Sequence, residues 1–329
     1  MGTNKNAGAV IFGFDFQIDA AICLFIRNIE LIEKIKVEGK YEDIEQFLFD
    51  GSIIYCQVKS VINATKNDPR VKRQKLRDAL DSLSKCELNN KDKLVYCSNQ
   101  KDPLIANDSR FTIEDIIEFE YNYLDEKSKE LINKYFKKNI SNISKLSVIK
   151  IPYVYSPNKE IKVQYIYNCI KDFLINVDGS FLGYRDITLK WHDFLKDSAY
   201  GKVGEFYVEK SDLIWILICV TLEKMVTSVQ VPNENLIYKI SEKKEYILNS
   251  LMNFQIYNIL LDIYNSDKSD TKNIDEIFLS NKSKILETIF GSDEIENADI
   301  ISAKIIFESI IATSNRIEKV KEVCNLANR

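Results

Sequence analysis

The chain has one histidine, His192, among its 329 residues. Mechanisms that need a histidine pair or a histidine-ligated metal cluster are thereby excluded, and a lone His192 reads as a packing or surface residue. Seven cysteines (23, 56, 86, 97, 169, 219 and 324) are scattered without a CxxC pair, which argues against both a disulfide framework and a zinc ribbon. Most lie in apolar runs and read as buried, reduced thiols. A long uncharged hydrophobic stretch is missing too. The longest run, LIWILICVTL at 213–222, is bracketed by Asp212 and Glu223 and has half of the ~20 residues that a bilayer span needs. The first residues, MGTNKNAGAVIF, lack the basic and apolar blocks of a secretion signal. A soluble, cytoplasmic protein without a membrane partner is the expectation. An excess of positive charge is absent as well: 45 basic against 49 acidic side chains leave a net charge of −4, so any site for a polyanion must be local.

What is present is a globular composition, 45% hydrophobic and 29% charged, long enough for one large or two ordinary domains. Between 16 and 34, Ile18, Ala21, Ile22, Phe25, Ile29 and Ile32 trace one face of a helix. KIKVEG, DIEQFLF and SIIYCQVKS follow, the last two separated by Asp50-Gly51, a strong hairpin signal, and predict three antiparallel strands. Asp68-Pro69 has the form of a helix cap, with Leu76, Ala79, Leu80 and Leu83 as the buried stripe behind it. KLVYCSN at 93–99 reads as a buried parallel strand. KLSVIKIPYV at 145–154 is a further strand, after helical segments between about 112 and 138. This order predicts an α/β fold, a mixed sheet flanked by helices. Four of the ten glycines fall between Gly179 and Gly204, which sets the expected boundary: a sheet domain over 1–180, and a mostly α-helical domain over 181–329.

Strand alternation puts Gln57 and Lys59 on one face with Ile53 and Tyr55. Across the Asp50-Gly51 turn, YEDIE supplies Glu42, Asp43 and Glu45. Carboxylates, an amide and a lysine at one sheet edge are what a metal-dependent phosphodiesterase needs. Asp43 can hold Mg²⁺, either the Gln57 amide oxygen or the Val58 carbonyl can complete the set, and the Lys59 ammonium can orient the attacking water or stabilise charge on the phosphate oxygens. The simpler reading makes Gln57 and Lys59 the solvated end of an ordinary edge strand. From Lys59 to Arg77 there are seven basic residues against one acid, Asp68, a patch able to track a phosphate backbone. Lys66, Arg70 and Arg73 are its candidate DNA contacts.

Taken together, GFDFQ at 13–17, VEGKYEDIE at 37–45 and IIYCQVKS at 53–60 resemble the nuclease core of the PD-(D/E)XK superfamily in its QxK variant. More narrowly they resemble the double-stranded-DNA endonuclease effector domain of CBASS and Lamassu antiphage systems. The resemblance covers roughly the first 100 residues well and 180 loosely. It implies a restriction-endonuclease-like fold and a site of Asp43, Gln57 and Lys59 supported by Gln17 and Glu38. It implies Mg²⁺ or Mn²⁺ as cofactor, double-stranded DNA as substrate, and activation by an SMC-like ATPase with an accessory subunit or by homo-oligomerisation. The helical remainder is too short, and of the wrong class, for the nucleotide-sensing domain of the CBASS forms, so the Lamassu-like reading fits better. The competing readings are a catalytically inactive nuclease fold acting as scaffold or DNA-binding subunit, and a restriction enzyme for modified DNA, for which no reader domain is visible. The hairpin turn selects the metal-binding acid. A two-residue loop would set Glu42 opposite Lys59, whereas a three-residue loop Phe49-Asp50-Gly51 sets Asp43 opposite Gln57. The second register is expected, because only it joins the family's acid to the Gln-x-Lys pair.

Overall fold

A computed structural model describes residues 7–62, 69–180, 182–200, 206–225, 234–250, 254–269, 272–291 and 295–326. The fold is α/β, a seven-stranded mixed sheet flanked by helices and followed by a helical region. Helix α1 (Ala7–Arg27) leads into β1 (Ile32–Val37), β2 (Ile44–Leu48) and β3 (Ile53–Lys59), then α2 (Pro69–Leu83) and β4 (Lys93–Ser98). Next come β5 (Ile117–Glu120), α3 (Glu126–Tyr135) and β6 (Leu146–Lys150), with short 3₁₀ turns around them. Helices α4 (Lys159–Lys162), α5 (Gln164–Asn176) and α6 (Tyr184–Tyr200) and the short strand β7 (Val208–Glu209) follow. The sheet order is β5-β6-β4-β3-β2-β1-β7. Strands β3, β4 and β6 run parallel and the outer pairings are antiparallel.

Contacts divide the chain into two units, Met1–Phe173 with Tyr184–Lys210, and Leu174–Gly183 with Ser211–Arg329. The chain therefore passes between units near 173, 183 and 210, instead of once at 180. The reason lies in α6: it packs on α1 and β1, and Trp191 meets Phe25 edge-to-face at 5.7 Å. The second unit comprises α8 (Glu234–Ser250), α9 (Phe254–Asp267), α10 (Ile274–Ser280), α11 (Lys282–Phe290) and α12 (Asn297–Val323), preceded by α7 (Lys210–Met225). Helix α12 is its centre, packing on α8, α9, α10 and α11. Asn273 and Glu276 close a capping box at the start of α10.

Within the first unit the two sheet faces are covered by different helices. Leu76, Ala79, Leu80 and Leu83 of α2 join Tyr55, Leu94 and Tyr96 in one core cluster. Helix α1 covers the opposite face, where Asn28 Nδ2 donates to Gln46 Oε1 at 2.8 Å. Among the described residues α1 is the one helix long and apolar enough to span a bilayer, and its apolar side is spent on β1, β2 and β3.

Two local expectations need correction. The helix expected over 16–34 is α1, which begins at Ala7 and ends at Arg27. Its spacing runs on to Ile32 because the following turn keeps helical bonds, Ile32 N–H donating to Asn28 O at 2.8 Å. The segment between 112 and 138 contains strand β5 as well as helix. Its four residues, IEFE, alternate too briefly to register as a strand.

Candidate functional site

Asp50-Gly51 sets the geometry of the site. Gly51 takes φ +80°, a conformation that a Cβ would strain, and its N–H donates to Leu48 O at 2.9 Å. Asp50 Oδ1 accepts the Ser52 hydroxyl at 2.5 Å and the Ser52 N–H at 3.0 Å, which pull the exposed Asp50 carboxyl down to about 2. The loop is thus Phe49-Asp50-Gly51, and Leu48 N–H donates to Ser52 O at 2.9 Å. Pairing proceeds through Phe47↔Ile53 to Ile44↔Cys56, and the next step sets Asp43 opposite Gln57. The three-residue register is the one observed.

Asp43 Oδ2 accepts from the Gln57 side-chain amide and from the Val58 N–H at 2.8 Å, and Lys59 Nζ lies 3.6 Å away. Alternate residues of a strand present their peptide groups to the same neighbour. Cys56 faces Ile44 of β2, so Val58 directs its carbonyl to the side on which its N–H meets Asp43. Glu38 lies one residue beyond the paired part of β1. It has φ +55°, a backbone cost that non-glycine residues carry mostly where function or tight packing requires it. Its N–H donates to Asp43 O at 2.8 Å. Partial burial of the Glu38 carboxyl, then the nearby Asp43 carboxylate, raise its pKa, while a hydrogen bond from the Gln17 side chain of α1 opposes them. Gln17, Glu38, Asp43, Gln57 and Lys59 are therefore one cluster, drawn from α1, the β1–β2 turn and β3.

Glu42 hydrogen-bonds away from that cluster, although Asp43 and Lys59 still act on its carboxyl. The residue is buried, at 5% exposure, with Oε1 accepting from Ser82 Oγ at 2.9 Å and Cys86 Sγ at 3.4 Å. Burial is the main cause that pushes its pKa up to about 7. Glu45 is structural: its Oε1 accepts the Tyr41 N–H at 2.7 Å and fills the space beneath Gly39, where a Cβ would come 2.5 Å from Glu45 Cδ.

Among the described residues no group of three or more His, Cys, Asp or Glu side chains is arranged to hold a metal ion. The groups at Asp43 are of another kind: the Asp43 and Glu38 carboxylates and the Val58 peptide carbonyl are oxygen ligands of the sort a hard divalent cation takes, while Gln57 turns its amide nitrogen to Asp43 and would join them only with its oxygen turned in. The closeness of Glu38 and Asp43, which repel one another as carboxylates, is a second feature that a cation would relieve.

Of the candidate DNA contacts, Arg70 and Arg73 are exposed on α2, and Lys66, like Asp68, lies outside the described residues. The basic run also hides a residue that sequence spacing does not single out. Lys75 of α2 is half-buried and its Nζ donates to the carbonyl of Ser60, directly after Lys59. His192 is removed from this site. It lines a cleft of about 310 Å³ with Asp15, Asp19, Lys162 and Lys196, on the side of α1 turned away from Gln17, since positions 15 and 19 share a helix face that 17 does not.

Comparisons with protein-family models, with curated proteins and with solved structures gave no match.

Proposed function

We propose that the first unit is a divalent-metal-dependent DNA endonuclease of the PD-(D/E)XK type in its QxK form, working in the cytoplasm as the effector of an antiphage system. The observation that carries this reading is the hairpin register, which joins Asp43 to Gln57 and Lys59 at one strand end. Asp43 and Glu38, with the Gln57 amide oxygen or the Val58 carbonyl, would hold Mg²⁺ or Mn²⁺, which when bound lowers the pKa of a water and polarises the phosphate oxygens. Lys59 donates to the charge that accumulates on those oxygens in the transition state. Gln17 fixes Glu38 through its hydrogen bond. Arg70 and Arg73 hold duplex backbone on the outer side of α2. The helical unit serves assembly or regulation, in keeping with an SMC-like ATPase partner, an accessory subunit, or homo-oligomerisation as the activating event.

One observation favours a second reading, an inactive nuclease fold that binds DNA as a scaffold. Asp43 Oδ2 already accepts from the Gln57 amide and the Val58 N–H and is ion-paired with the Lys59 ammonium. Supercoiled plasmid separates the two. Incubated with the chain and its genomic-neighbour proteins, it should be nicked or linearised with Mg²⁺, left intact in EDTA, and cut ~100-fold or more slowly by Lys59→Ala. Equal rates for wild type and Lys59→Ala would reject the catalytic assignment.

A further inference from the structure

Lys75 is a cation of α2 that turns to the end of β3. The buried stripe of that helix is Leu76, Ala79, Leu80 and Leu83, and Arg73 and Arg77 on its outer side are exposed, as long basic side chains usually are. Lys75 sits at the margin of the stripe and hydrogen-bonds Ser60 O, one residue past Lys59. Its hydrogen-bond partner among the described residues is a neutral carbonyl, and the charged group that perturbs it is Lys59: burial first, and Lys59 second, lower its pKa. Lys59 has its own carboxylate, Asp43.

We propose that Lys75 and Lys59 form a phosphate-binding pair at the end of β3, with Lys75 holding a non-bridging oxygen of the substrate's phosphodiester. The inference rests on the nuclease reading for the identity of that substrate. Lys75 is half-buried and has no carboxylate partner among the described residues, and an anion between two neighbouring ammonium groups relieves their mutual repulsion. Lys150 also donates to main-chain carbonyls, and what sets Lys75 apart is its place at the end of β3, where the Lys59 ammonium acts on it. The ligand is a phosphate because the carboxylates beside Lys59, at Asp43 and Glu38, suit a divalent cation, and a phosphodiester is the anion that such a cation and two ammonium groups bind jointly. Lys75 thus adds a cation from the helix to a site otherwise built from α1, the β1–β2 turn and β3.

The test is equilibrium binding of a fluorescent DNA duplex to the full chain in EDTA over a salt series, alongside cleavage in Mg²⁺. The variants are Lys75→Met, which keeps the apolar stem, and Lys75→Arg. With thermal melting unchanged, Lys75→Met should bind about tenfold more weakly at ~0.1 M salt and lose about 0.9 from the log–log salt slope, and Lys75→Arg should restore both. Unchanged affinity and slope in a folded Lys75→Met would overturn the pair, even if wild type cuts DNA. A wild type that binds through Lys75 yet never cuts would leave the pair standing and reject the nuclease reading instead.

Discussion

Glu42→Gln should make the protein more stable at pH 8 and change it little near pH 4.5. Glu42 is 5% exposed. One oxygen is bonded to Ser82 and Cys86, and Oε2 is buried with no hydrogen-bond partner among the described residues. Burial raises its pKa from 4.5 to about 7. The folded state therefore keeps a proton that the unfolded chain releases, so the contribution is fully present below ~4.5 and is lost as pH rises through ~7. A rise of that size corresponds to roughly 3 kcal/mol at pH 8, at about 1.4 kcal/mol for each pH unit. Glutamine keeps the acceptor for Ser82 and cannot ionise, so the variant avoids that cost. Urea unfolding of both proteins in EDTA, at intervals from pH 5 to pH 8, reads the effect directly. The gap in stability should open across this window and favour the variant. A gap independent of pH, or a variant less stable than wild type at pH 8, would refute the burial argument.

Gly39→Ala should cost about 2 kcal/mol of stability, seen as a lower urea midpoint. The new Cβ would meet Glu45 Cδ at 2.5 Å, and the displaced carboxylate would lose the Tyr41 N–H, a charge-assisted bond of about that value. Cleavage should fall with it, because the same turn carries Glu38 and Asp43. Replacing Arg70 and Arg73 together by Gln should flatten the log–log salt slope of duplex binding by about 1.8, and an unchanged slope would return both residues to the role of a solvated helix face.

The parts of this architecture set by local chemistry are legible in the sequence. Asp50-Gly51 is legible as a hairpin turn, but it suits a two-residue or a three-residue loop, and the choice that sets Asp43 opposite Gln57 comes from the resemblance and not from the turn. KLVYCSN reads as a buried parallel strand because its apolar run is continuous, and β4 is flanked by β3 and β6 in parallel. What stayed hidden depends on how elements cross. Whether Glu42 points to solvent or into the space beside Ser82 and Cys86 is decided by how α2 lies over the sheet. The same crossing turns Lys75 inward from a run of seven basic residues that composition treats alike. Strand β5 offers four residues of pattern, and it exists because the edge of β6 pairs with it. The left-handed backbone at Glu38 follows from the closure of the β1–β2 turn, where glycine occupies the next position.

The central claim is that Asp43, and not its neighbour, holds the metal for hydrolysis. Plasmid cleavage with Mg²⁺ by wild type, Asp43→Asn and Glu42→Gln, with the same activating proteins and at the same concentration, tests it most directly. Asp43→Asn should eliminate cutting and Glu42→Gln should keep most of it. Cutting by Asp43→Asn at the wild-type rate, or its loss in Glu42→Gln alone, would contradict the site described here.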